Sequence, residues 1–155
     1  MTTTSYPTPD RIENTTPSSI NSEIETNMWN RVAALADSGS DAINTRIKEL
    51  EQEWDIEQYL GVNMSTLALS GIAAGIITKN RAWLILPAIV LAFFMQHSVH
   101  GWCPPLPLLR KLGVRTTREI EREKYALKFV RGDFKNMENI TREDVKALKQ
   151  AINLS

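Results

Sequence analysis

Cysteine occurs once in the 155 residues, at Cys103, and histidine twice, at His97 and His100. A single thiol excludes an intrachain disulfide framework, a CxxC metal knuckle and a dithiol redox centre. Charge is almost missing from a long central stretch: between residues 60 and 109 only Lys79 and Arg81 carry one. The beginning of the chain has no basic start followed by an apolar run, so no signal peptide is read there and the stretch from Leu60 must itself direct insertion. Residues 1–19 hold Thr, Ser and Asn with Pro7, Pro9 and Pro17. They offer too little apolar surface to offset the entropy of ordering and are expected to be a disordered tail.

What is present is unevenly spread. The hydrophobic fraction of 43% and mean hydropathy of −0.24 are those of a soluble protein, yet the apolar residues concentrate in the centre. The zero net charge hides a split: residues 1–60 hold 11 acidic and 4 basic side chains, and residues 61–155 hold 7 acidic and 14 basic. The basic residues crowd the end of the apolar run, which suits lipid headgroups. No aromatic-interleaved basic platform accompanies them, so no nucleic-acid partner is expected.

Residues 60–78 form a 19-residue stretch without a charge. At 1.5 Å per residue it would span roughly 28 Å, close to the hydrocarbon thickness of a bilayer. Lys79-Asn80-Arg81 then breaks it, briefly enough to make the flanking helices antiparallel neighbours. A second uncharged run follows over residues 82–99. Pro87 is expected to bend that helix slightly, and the prolines at 104, 105 and 107 to end it. The predicted fold class is all-α: a transmembrane helical hairpin over residues 59–109, with amphipathic helices before and after it. Gly71 and Gly75 form a GxxxG pair suited to close helix packing, within the hairpin or between two copies.

Residues 20–58 read as an amphipathic helical region. Ile20, Ile24, Met28, Val32 and Leu35 make one stripe, Ser38-Gly39-Ser40 interrupts it, and Ile43, Ile47, Leu50 and Trp54 make a second, coiled-coil-like seam about two heptads long. Residues 110–155 form a basic helical tail. Thr116 or Thr117 can cap a helix bearing Ile120, Leu127 and Val130, and Thr141 a final one bearing Val145, Leu148 and Ile152. A hairpin returns the chain to the side it left. The second seam is therefore expected to pack on Ile120, Leu127 and Val130, with Glu49, Glu53 or Glu57 near Arg118, Arg122 or Lys128. Lys and Arg near the hairpin ends favour both termini in the cytoplasm of a bacterial-type inner membrane.

One constellation could carry chemistry. His97, His100 and Cys103 fall at i, i+3 and i+6, and on a continuing helix would spread over one side as soft ligands for zinc, copper or haem iron. Cys103 alone, near Arg110 and Lys111, could instead serve as an activated thiol. The structural alternative makes the histidines interfacial polar residues and Cys103 a small residue filling a helix end. No fourth ligand is evident and no cofactor is expected.

Residues 55–118 resemble the YgaP-like two-helix inner-membrane domain family. The resemblance is carried by Gly61, the glycine-rich first helix, the short break, Gly101-Trp102-Cys103-Pro104, Leu108-Leu109 and Leu112-Gly113-Val114-Arg115-Thr116. It implies a membrane module, with homo-oligomers or another membrane protein as partners. Some members of that family carry a fused rhodanese domain. This chain has no βαβ pattern or Cys-containing active-site loop before its hairpin, so sulfurtransferase activity is not carried over. The sequence points to a non-enzymatic anchor or interaction module, with a thiol, persulfide or metal accessory role as the alternative.

Overall fold

A computed structural model describes residues 11–134, and among them the fold is all-α. Seven α-helices run as α1 (Arg11–Thr15), α2 (Ser18–Ala36), α3 (Ser40–Gln52), α4 (Ile56–Thr78), α5 (Ile85–His100), α6 (Leu106–Lys111) and α7 (Thr117–Arg131). A 3-10 turn over Arg81–Leu84 leads into α5. The expected final helix with Val145, Leu148 and Ile152 lies outside the described residues, as does the part of the expected tail before Arg11.

Local chemistry sets the boundaries. Asp55 begins α4 with a capping box: its carboxylate accepts from Gln58 N at 2.8 Å and Gln58 Oε1 accepts from Asp55 N at 3.2 Å. Thr116 does the same for α7 with Glu119, which satisfies backbone donors that have no helical partner. Gly39, at φ 84°, separates α2 from α3 where the Ser-Gly-Ser break was expected. Gly101 ends α5 at φ 73°.

Helices α4 and α5 form the hairpin. Both are long and apolar enough to cross a membrane, and only about a fifth of each apolar window is buried. Their outer faces carry Leu69, Ile72, Ile77, Ile85 and Ile89, all exposed. Their inner faces meet closely at Gly71, where a Cβ would stand 2.6 Å from Pro87 Cδ; at Gly75 the nearest atom would be an ordinary 3.4 Å away. Pro87 falls in the first turn of α5 rather than bending its middle. A proline there forfeits no helical hydrogen bond, and the 3-10 turn before it supplies the change of direction.

Two cores stack along the chain. At the hairpin base, Ile12, Ile56, Leu60, Met64, Ala68, Val90, Cys103 and Leu106 pack together. In the head, α2, α3 and α7 bury Val32, Ile43, Ile47, Leu50, Ile120 and Leu127. The expected packing of the α3 seam on Ile120 and Leu127 is observed within one chain. Trp54 is not part of it: α3 ends at Gln52, and Trp54 lies 48% exposed with its ring edge-on to Tyr59. Val130 is likewise outside the core.

The expected disordered tail does not extend to residue 19. Helix α1 docks on the C-terminal end of α5: Arg11 donates to the carbonyls of Ser98 and Val99, and Thr15 Oγ1 donates to Gly101 O at 3.0 Å. A cation and a hydroxyl thereby satisfy carbonyls that α5 leaves open. The hydrophobic signal missed this because Ile12 is the one apolar anchor that α1 buries.

The two glycines make opposite predictions. Gly71→Ala is expected to lower stability by about 1–3 kcal/mol through overpacking against Pro87. Gly75→Ala should be neutral or stabilising, since alanine is the better helix former. Thermal unfolding of the two variants in the same detergent checks the pair; equal midpoints would place the tight crossing elsewhere.

Candidate functional site

Between the two cores lies a layer of buried charge. Glu123, on the inner face of α7, is fully buried and receives three guanidinium groups. Arg31 of α2 reaches it with Nε to Oε1 at 3.3 Å and Nη2 to Oε2 at 3.0 Å. Arg46 of α3 donates from Nε to Oε1 at 2.9 Å, and Arg115 donates to Oε2. Arg115 also grips Glu53 through two bonds, at 2.8 and 2.6 Å. One turn away Arg110, almost wholly buried, makes a two-pronged pair with Glu119 at 2.7 Å in both arms and donates to Asn21 Oδ1 at 2.8 Å. Paired, planar contacts of this kind are the strong form of charge-assisted hydrogen bond.

The arrangement holds α2, α3 and α7 to one another and the head to the hairpin. Arg115 O also accepts from Ile56 N at 2.9 Å, at the first residue of α4, and Thr117 donates to Asp55 beside it. Burial opposes ionisation of Glu123, but the hydrogen bonds from Arg31 and Arg46 and the charge of Arg115 outweigh it and hold the carboxyl at about 2. Glu119 follows the same logic: burial pushes its carboxyl up, and Arg110 with the Thr116 backbone N–H brings it below the ordinary value. With their oxygens occupied by protein donors, these carboxylates are suited to joining helices rather than to taking a ligand.

Sequence reasoning expected surface pairs, with Glu49, Glu53 or Glu57 near Arg118, Arg122 or Lys128. The structure bonds Glu53 to Arg115 and Glu49 to Arg46 and sets Glu57 against His97, while Glu57 and Arg118 border one small pocket, as expected. A signal for the buried layer was there: Glu119, Glu123 and Leu127 fall four apart on the stripe that faces the head core. An acid in the middle of a buried stripe requires a buried cation.

The sequence-predicted trio is only partly assembled. His97 is 2% exposed and Cys103 fully buried, while His100 is exposed on the surface of α5. Glycine in the left-handed conformation at residue 101 ends the helix before Cys103, so the i, i+3, i+6 geometry of a continuous helix does not apply. Among the described residues no group of three His, Cys, Asp or Glu side chains is placed to hold a metal ion. What the fold does bring together is His97, Cys103 and Glu57. His97 Nε2 lies 3.1 Å from Glu57 Oε2, which puts a proton on that nitrogen. The Cys103 thiol lies close to the same imidazole, without making a directed bond to Nδ1, which has no partner among the described residues. Glu57 was missed as a site residue because it lies 40 positions from His97.

No protein-family model matches the chain, and neither a curated protein nor a solved structure shows significant similarity to it.

The buried carboxylates predict the acid limit of the fold. A carboxyl whose pKa is lower in the folded than in the unfolded chain stabilises the fold above the unfolded value and loses that contribution as pH falls through the folded one. For Glu123 the window runs from the ordinary value of 4.5 down to about 2. Denaturant midpoints are therefore expected to be flat above pH 5 and to fall below it. Glu123→Gln should flatten the acid limb and cost about 3–5 kcal/mol at neutral pH, because three guanidinium groups lose the buried carboxylate they share. An unchanged acid limb in that variant would assign the effect to other carboxylates.

Proposed function

We propose that this chain is a non-enzymatic membrane module: a two-span hairpin that holds a three-helix head in a fixed orientation at the cytoplasmic face of a bacterial-type inner membrane. The observation that carries the reading is the junction. A flexible tether would be enough to keep a domain near a bilayer. Here the head and the hairpin are bonded through Arg115 to Ile56 and Glu53, through Thr117 to Asp55, and through α1 to the end of α5. Such a joint serves the presentation of a surface at a set angle. The surface presented is aromatic, with Trp29, Tyr125 and Phe129 exposed on the outer side of α2 and α7. Exposed apolar patches of that kind suit a protein partner, which we take to be another copy of this chain or a second membrane protein. Kinship with the YgaP-like domains belongs to the same proposal and rests on the motif around Cys103.

Single cysteines in a Cys103→Ser background test the arrangement. A cysteine at Asn80 is expected to react with an impermeant maleimide added outside intact cells, and one at Glu25 only after lysis. Outside labelling at Glu25 would reverse the orientation. A photo-crosslinker at Phe129 should give a discrete adduct that weakens when the joint is loosened by Asp55→Ala with Arg115→Ala; no adduct in the intact protein would remove the presentation role.

The nearness of buried Cys103 to His97 favours a second reading, a thiol or persulfide relay. It requires the buried sulfur to open to solvent. Alkylation of Cys103 in the native protein, slowed in His97→Gln, would support it. Complete protection until denaturation would eliminate it.

A further inference from the structure

The hairpin base carries an open apolar groove of about 610 Å³, within the size range of small-molecule sites. Leu67 of α4 and Val90 and Phe93 of α5 form one wall, and Pro105 and Leu108 of the returning chain form the other. One lining side chain is out of character. Asn63, exposed on α4, stands among these apolar lining side chains, and on the membrane reading its amide faces a medium without water. Leaving an amide unpaired in an apolar medium is costly, so it points to an acceptor that the chain itself does not supply.

Depth identifies the acceptor. Asn63 lies seven residues into α4, about 10 Å from its start and about 24 Å from Lys79 at the far end. In a hydrocarbon layer about 30 Å thick, that is the head-side boundary, where lipid acyl chains meet their glycerol esters. The rim completes the pattern. Groove-lining Leu108 and, one turn on, Lys111 at the end of α6 are exposed, as is Leu112 just after the helix. An apolar pair with a lysine on one short face fits an element lying in the interface with its ammonium among the headgroups.

We propose that the groove seats one acyl chain of an anionic phospholipid from the head-side leaflet, with its ester region on Asn63 and its phosphate on Lys111. The proposal rests on the membrane reading above. A second copy of the chain, whose own Asn63 could pair with this one, is the competing occupant, and the dimer outcome below separates the two.

The full chain, purified into nanodiscs of mixed phosphatidylglycerol and phosphatidylcholine, can be released and weighed by native mass spectrometry. Wild type is expected to retain one phosphatidylglycerol. Leu67→Trp, which fills the groove, should reduce retention about tenfold, an effect near 1.4 kcal/mol. Leu69→Trp, on the outward face of α4, should retain the lipid and shows that an added indole is tolerated. Lys111→Gln should keep a lipid but no longer prefer phosphatidylglycerol. Equal retention by wild type and Leu67→Trp would overturn the site, and so would a dimer lost in Leu67→Trp while the lipid count stays the same. Alkaline carbonate extraction separates the two levels: release of the chain sinks the membrane reading itself, whereas an embedded chain with unselective lipid retention sinks only the groove.

Discussion

The Glu123 carboxylate is the point on which the head closes. Each of its oxygens is shared between guanidinium groups from different parts of the chain: Arg31 from α2, Arg46 from α3 and Arg115 from the turn before α7. Replacing such a cluster by apolar side chains of matching volume can leave a fold as stable as before. What an apolar replacement would not supply is direction. Three planar donors converging on one carboxylate select a single register of α2 and α3 against α7, while Val32, Ile47 and Leu127 supply non-directional burial. The same Arg115 passes the constraint on to Glu53 and to the first residue of α4, so the register of the head also sets the angle of the hairpin.

The hairpin solves a different problem with different means. With apolar residues on its outer faces, burial cannot say which sides of α4 and α5 should meet if lipid surrounds them. Shape takes over that role. Gly71 leaves room for the Pro87 ring, and the left-handed Lys79 with the Asn80 side chain bonded to Ala82 N sets the tight return. Beneath the hairpin, the pairing of His97 with Glu57 ties α5 to α4 at the level where the apolar stretch gives way to the charged layer.

Periodicity in the sequence was enough to find most of this architecture. The uncharged runs became α4 and α5, the Ser-Gly-Ser break became the α2–α3 turn, and Thr116, one of the two candidate caps, begins α7. Legibility stopped where a residue's role depended on distant partners. Proline-rich composition suggested disorder before residue 20, but α1 is held by Arg11 and Thr15 through backbone carbonyls at the end of α5, contacts that hydropathy does not register. Charges were assigned to exposed faces, and Arg110, Arg115, Glu119 and Glu123 are buried. The candidate trio failed at His100 because its geometry presumed a helix that Gly101 terminates, and Glu57 could be found only once α4 and α5 were side by side.

The place of Glu123 in the chain bears on how the protein is made. On the proposed arrangement, Arg31 and Arg46 leave the ribosome well before either half of the hairpin, and their carboxylate only after both. Until residues 115–127 have returned to the same side of the bilayer, α2 and α3 lack the carboxylate that joins Arg31 to Arg46 and hold only half a core. A chain whose second span failed to insert would leave α7 across the membrane from its partners. On that arrangement, closure of the head waits on completed insertion of both spans.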